Sequence, residues 1–298
     1  MAQQSDSLTV ARNLDRVHFQ TGILLDADDF ITEQNYHRGR LARALNYASG
    51  SGTMAGLKVL HEAAQAATTE ASEQPERLKI HSGLAVDRLG RLIEVPATLC
   101  IRLDRWYQQQ DDTALRNSWK AAGALWTDSI AGICVDLFIR FVPCERGKQP
   151  VFNGNAGSLD AITAARLRDG YTTELRLRDE AHPGLPVNRW PDLSGSPAQQ
   201  QAQLMRAAIF DAWYEGSIIS DENRSLPPLA EHAAAQDTTF LMLARMILPA
   251  DEAAPGARPQ RRLADTVVVR NDVRSFVVSA NALARMLGIP LNDQDAGE

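Results

Sequence analysis

Residues 16–59 limit the possible folds of this chain more than any other stretch. The segment RVHFQTGILLDADDFITEQNYHRGRLARALNYASGSGTMAGLKV reads as a short strand, a turn, a long helix and a second strand. Residues 15–20 are strand-like and run into a Thr21-Gly22 turn. Asp26 stands where a helix N-cap belongs, because its carboxylate can accept the backbone N–H groups left open by a first turn. Asp28 and Asp29 follow at the positive end of the helix dipole, while Arg38, Arg40 and Arg43 lie toward its negative end. Phe30, Gln34, His37, Leu41, Leu45 and Ala48 recur at steps of three and four. That spacing predicts one semi-apolar helix face over 26–48, with Phe30, Leu41 and Leu45 packed on a sheet. Leu41→Asp is then expected to cost several kcal/mol by burying an unpaired charge. Gly50 and Gly52 end the helix.

Short strands follow over residues 56–61, 78–81, 84–86, 91–95 and 98–103, punctuated by Gly83, Gly90 and Pro96. Residues 62–77 are polar and rich in Ala and Glu, so they read as a loop or a loosely held helix inside a hairpin, and 87–90 as a hairpin turn. Residues 111–126 read as a helix. Residues 130–142 form a long strand in which Cys134, Asp136, Phe138 and Arg140 alternate with Val135, Leu137, Ile139 and Phe141. Ser158 is placed to cap a short helix over 159–167, ahead of a strand at 171–177. A Pro/Gly/Ser-rich linker spans 182–197. Ser196-Pro197 then starts a helix reaching Tyr214, since Pro fits the first helical position. Strands at 238–248 and 266–270 flank a Pro/Ala-rich loop, and Ser279 caps a last helix over 280–287.

The fold expected is α+β: mainly an antiparallel β-sandwich with a long N-terminal helix and additional helices in the C-terminal third. Residues 1–180 form the sandwich with its helix. Residues 181–298 add a helical segment and closing strands packed on the same core.

Composition removes several functions. A formal charge of -6 and no basic run argue against a nucleic-acid reader. The longest apolar run, 130–142, is interrupted by Asp136 and Arg140 and is too short to span a bilayer, so no membrane insertion is expected. The start MAQQSDSLTV lacks the basic-then-apolar pattern of a signal peptide. Three cysteines without CxxC spacing fit a reducing compartment, and the chain reads as cytoplasmic.

Residues with chemical potential are few. Gly50-Ser51-Gly52-Thr53-Met54-Ala55 imitates a dinucleotide loop but follows a helix and opens a strand, the reverse of the required order. His61-Glu62 lacks the second histidine of a zinc-protease helix, with Gln65 where the pattern needs one. Ser158 reads as a cap, Cys144 as a structural thiol near Arg146 and Lys148, and the five tryptophans as scattered core or interface anchors. His18, Asp28, Asp29, Glu33 and His37 are the one local group with metal-ligand chemistry. An alternative function is therefore a small metal-dependent hydrolase using His18, Asp28, Asp29 and His37. Against it, acidic groups in a first helical turn are expected on capping grounds alone, and a catalytic zinc usually needs three protein ligands. A third reading is a monomeric ligand-binding β-module, which predicts a large apolar pocket. The reading preferred has no catalytic residues, no cofactor and no metal.

One resemblance bears on this choice. Phe19, Gly22, Leu24, Leu25, Asp29, Phe30, Glu33, Gln34, Tyr36, His37 and Arg40 fall in a pattern that resembles phage-tail and contractile-injection baseplate proteins. Gly52, Gly56, Leu57 and Val59 continue it, as do Gly83, Leu84, Ala85, Asp87, Gly90, Arg91, Ile93, Val95 and Pro96. The order of elements is also similar to the N-terminal shell domain of the type VI secretion baseplate trimer and to the shoulder of siphophage receptor-binding proteins. The resemblance implies a non-enzymatic baseplate subunit that joins the baseplate to fibres or peripheral proteins. It implies a homo-oligomer, with a trimer favoured, assembled in the cytoplasm into a virion or tail-like particle. The interaction candidates are then Asp28, Asp29, Phe30, Glu33, Gln34, Tyr36, His37 and Arg40.

Overall fold

The computed structural model describes residues 8, 15–67, 72–125, 130–150, 162–215 and 226–288. The first helix, α1 (Ala27–Ser49), begins after Asp26 and stops at Gly50. Six short strands follow: β1 (Gly52–Gly56), β2 (Val59–Glu62), β3 (Arg77–Ile80), β4 (Gly83–Val86), β5 (Leu92–Val95) and β6 (Leu99–Arg102). Two single-turn helices, α2 (Leu103–Gln108) and α3 (Asp112–Asn117), lead to β7 (Trp119–Lys120). Then come the long strands β8 (Gly132–Pro150) and β9 (Ile162–Leu177), helix α4 (Ala198–Glu215), strands β10 (Leu241–Pro249) and β11 (Val268–Arg270), and helix α5 (Ala280–Met286). Both helices and antiparallel sheets are present, as an α+β chain requires. Among the described residues no helix is long and apolar enough to cross a membrane.

The strands form three antiparallel sheets, ordered β1-β4-β5, β2-β3-β6 and β11-β10-β8-β7, with β9 also paired to β8. One apolar core joins all three. Leu57 and Val59, Leu78 and Ile80, Ala85 and Ile93, and the odd-numbered residues 133–141 of β8 meet there with Leu243, Met246 and Leu248 of β10. The alternation in β8 is real, yet both of its faces are covered. Its even-numbered face carries Cys134, Asp136 and Phe138, all fully buried, and Phe138 packs with Phe240 and Met242. The segments after β9 and before β10 supply that cover.

Gly56 and Leu57 turn the chain from β1 into β2 with successive positive φ values of 62° and 54°. Leu57 holds this unfavourable conformation because its side chain is fully buried in the core. A Cβ on Gly56 would meet the Ser82 carbonyl oxygen at 2.1 Å, so only glycine fits the close approach to the start of β4.

Three expectations need correction. Residues 111–125 are not one helix: α3 covers only Asp112–Asn117, and Trp119–Lys120 is a strand. The Ser118 carbonyl accepts the Cys134 N–H at 2.8 Å, and Trp119 and Lys120 register with Ile133 and Gly132. Sheet pairing across the chain thus overrides local helix preference. Trp126 and Ser158 lie outside the described residues. The helix expected over 159–167 is replaced, from residue 162 onward, by β9 in continuous register with β8.

The third correction concerns α1. Most of the face read as core-facing points outward: Phe30 and Leu41 are 55% and 58% exposed, Gln34, His37 and Ala48 are exposed with them, and Leu45 is half-buried. The buried residues are Ala42 and Asn46. α1 does not lie on a sheet face; it crosses the turn between β4 and β5. Asn46 Nδ2 donates to the Arg88 carbonyl at 3.1 Å. Gly90, at φ 82°, comes so close that a Cβ would sit 1.8 Å from the Ala42 carbonyl oxygen. Backbone-to-backbone contact of this kind selects small and polar residues, not large apolar ones.

Candidate interaction surface on the first helix

Asp26 and Asp29 secure the start of α1 in a reciprocal arrangement. The Asp26 carboxylate accepts the N–H groups of Asp28 and Asp29 at 2.9 and 3.1 Å, and Asp29 accepts the Asp26 N–H at 3.0 Å. Two acidic side chains are thereby spent on the cap, as helix-end physics leads one to expect. One turn further on, Glu33 accepts the Val17 N–H at 3.3 Å and meets His37 Nε2 at 2.8 Å. This carboxylate ties residues 15–20, whose sequence reads as a strand but which belong to none of the sheets, to the helix. Tyr36 stands edge-on to His37 at 5.4 Å, and the Arg40 guanidinium lies over the Tyr36 ring at 5.7 Å.

The structure therefore divides the eight candidate residues. Asp29 and Glu33 are structural, while Tyr36, His37 and Arg40 form one polar-aromatic row along the helix. Asp28, Phe30 and Gln34 are exposed. Apolar residues at the start of α1 and in the segment before it are exposed as well: Phe19, Ile23, Leu24 and Ile31, Leu24 to 95%.

Sequence reading missed the continuation of this surface on α4. Tyr47, near the end of α1, stacks on Trp213 at 5.9 Å and donates its hydroxyl to the Trp213 carbonyl at 3.2 Å. Next to that junction Phe210 is 74% exposed and Ile209 is exposed too. Among the α4 side chains described, only Ala212 is buried. The run Ile209, Phe210 and Trp213 on a helix that buries so little was the available signal.

The residues weighed for metal hydrolysis are not gathered. Among the described residues no three His, Cys, Asp or Glu side chains converge as a metal site demands. His18, Asp28, Asp29 and His37 thus offer capping and surface chemistry in place of a coordination set.

Two polar clusters elsewhere went unseen because their members are far apart in sequence. In the first, Glu76 receives His61 Nε2 at 2.8 Å and Arg261 Nη2 at 2.7 Å, with all three side chains nearly buried. Burial pushes the Glu76 carboxyl up, but the hydrogen bonds and charges of His61 and Arg261 together outweigh it and hold the group below its ordinary range. The histidine that stood without a metal-site partner in the sequence is one side of a buried ion cluster that fixes the loop before β11 to the second sheet. In the other cluster Asp136 bridges Arg178 and Arg245 behind β8, and burial pushes the neighbouring Cys134 thiol up to about 12. Cys134 is inert as a nucleophile at neutral pH for that reason. Cys100 and Cys144 are exposed.

No protein-family model matches the chain, and no curated protein matches it.

Proposed function

We propose that the chain is a structural subunit of a contractile phage tail or phage-like injection machine, a baseplate component that connects the baseplate to fibres or peripheral proteins. In this reading the sheets form a β-sandwich shell module, and copies assemble in the cytoplasm, with a homotrimer favoured. One observation carries it: the semi-apolar face of α1, which spacing alone would bury, is turned to the outside together with the apolar residues of α4. Large apolar residues clustered on an exposed surface mark a place where another protein sits.

The residues that carry the baseplate resemblance support the same reading by what they do. Asp29 caps, Gly56 permits the close approach beside β4, and Asp87 with Arg91 closes the β4–β5 turn through a 2.6 Å ion pair. The pattern therefore preserves a helix mounted on a hairpin turn, and leaves Phe30, Gln34, Tyr36, His37 and Arg40 along the mounted helix.

Light scattering on the purified protein tests the proposal. Assembly predicts a mass that is a multiple of 32.7 kDa, three times that value for the trimer. A Phe30→Ser, Ile209→Ser, Phe210→Ser variant should then lose mass while keeping its fold. A 32.7 kDa species at every concentration, unchanged on co-expression with sheath and tube proteins, would sink the reading.

A further inference from the structure

Residues 226–240 lie over the even-numbered face of β8 without forming a helix or strand, and one imidazole closes them down. The Leu229 carbonyl accepts the His232 N–H at 3.0 Å, and the His232 ring folds back so that Nδ1 accepts the Leu229 N–H at 2.9 Å. On the other side of the ring Nε2 meets the Phe240 carbonyl oxygen at 3.1 Å. These partners fix the state of the ring. A backbone N–H can only donate, so Nδ1 carries no hydrogen; a carbonyl can only accept, so Nε2 carries one. The imidazole is therefore neutral. It is 8% exposed and stacks on Phe138 at 6.4 Å.

The arginines that hold the same segment are insensitive to pH. Arg88, in the β4–β5 turn, donates to the carbonyls of Pro227 and Thr238 at 2.7 and 3.0 Å, and Arg178 to that of Glu231 at 2.6 Å. Guanidinium groups keep their charge throughout the physiological range. A proton arriving at His232 Nδ1 would instead set N–H against N–H, break the bond to Leu229 and put a charge in a buried site. Burial, helped by the Arg88 charge, holds the imidazole below its ordinary 6.5, against the pull of the Phe240 carbonyl and the Glu231 carboxylate. β8 and the start of β10 present Phe138 and Phe240 to the ring. Arg140 of β8 lies over Phe240 and is paired with Asp237, and Arg178 is paired with Asp136.

We propose that residues 226–240 are an acid-sensitive cover: neutral His232 keeps them closed over β8, and protonation at Nδ1 frees the turn 229–232 and uncovers Phe138, Phe240 and Met242. The open segment takes up a proton as an ordinary histidine does, whereas the closed one resists it. Closure is therefore complete above about 6.5 and weakens as pH falls below that value, by up to about tenfold per pH unit while the closed ring stays neutral. The apolar group so uncovered is buried at neutral pH, and any contact it makes is gated by acid. The device needs no second copy, so it stands apart from the assembly reading.

Hydrogen exchange of the full chain at about pH 7.5 and about pH 5.5, corrected for the intrinsic effect of pH on amide exchange, tests it. Protection of the Leu229, His232, Gln236 and Phe240 N–H groups should fall about three- to tenfold at the lower pH. Residues 133–139 of β8, paired with β10, should keep theirs. His232→Gln, which does not titrate, should show the same protection in residues 229–240 at both pH values. Should that variant fail to fold, carbon-13 NMR of the imidazoles in the wild type decides, with His232 expected to titrate below 6.5. A His232 that titrates at or above 6.5 overturns the cover. So does a segment equally protected at both pH values, or a pH effect that survives in His232→Gln. An equal loss of protection in residues 133–139 would mean that acid opens the whole sheet, and overturns it as well.

Discussion

Two guanidinium groups and one carboxylate share the space behind β8, and their arrangement shows what a buried charge demands. Asp136 is fully buried and accepts from Arg245 Nε at 2.7 Å and from Arg178 Nη1 at 2.6 Å. The arginines also donate to the carbonyls of Glu231, Pro183 and Gly184, and Arg178 Nε and Nη2 reach the Glu180 carboxylate at 3.0 and 3.2 Å, so segments after β9 and before β10 are pinned to the sheet. Asp136→Ala leaves two buried cations without their shared carboxylate and should cost about 3–5 kcal/mol in urea unfolding. Asp272→Ala, which breaks an exposed pair with Arg270, should change stability little. If both cost the same, burial is not what gives the Asp136 cluster its weight. Glu76 makes a pH-dependent counterpart. Its folded-state carboxyl titrates below the ordinary value of 4.5. The stabilisation is therefore complete above about 4.5 and is lost as pH falls through the depressed folded value. Stability measured against pH should decline on that acid limb, and Glu76→Gln should flatten the decline. An unchanged acid limb in the variant would remove Glu76 from the explanation.

At the scale of elements, α1 is the instructive case. Its ends follow from local chemistry: Asp26 closes the first turn, and Gly50 stops the helix with its N–H bonded to the Asn46 carbonyl at 2.9 Å. Its orientation follows from the β4–β5 turn beneath it. Leu41→Asp, which spacing alone marks as severe, should cost less than about 0.5 kcal/mol because the side chain is 58% exposed. Ala42→Asp should cost several times more, since it forces a carboxylate between the helix and Gly90. Thermal melting of the pair checks this, and the reverse order would restore the face that periodicity favours. The β8–β9 ribbon makes the same point for strands. Arg146 and Lys148 lie far from Arg166 and Arg168 in sequence, so no basic run is visible until the register places them on one face.

For the molecule as a whole, the segment after β11 returns to the strands that follow α1. Asn271 donates to the Val59 carbonyl at 2.9 Å and accepts the Val59 N–H at 2.8 Å, taking the place of a neighbouring strand. Arg274, buried and without a carboxylate partner among the described residues, donates to the Leu57 carbonyl at 2.7 Å. Thr53 completes the clasp through backbone bonds of 2.9 Å to Ser275 and Val277. Arg274→Ala should therefore raise hydrogen exchange in residues 53–59 and 271–277 together. Faster exchange in one segment alone would mean that the two ends are held independently.

The sequence by itself determined whatever one or two turns of chain can decide. The Asp26 cap, the Asp87–Gly90 turn, the alternation along β8 and the Ser279 cap of α5 all rest on groups a few residues apart, which is why they were legible. The tertiary structure decided which face of α1 is buried, turned residues 119–120 and 162–167 into strands, and gathered Asp136 with Arg178 and Arg245. It also left the candidate row Tyr36, His37 and Arg40 on a helix whose outward face periodicity had assigned to the core. These outcomes depend on pairings between residues 12 to 109 positions apart in the register and hydrogen bonds, and local propensities of a few tenths of a kcal/mol yield to them.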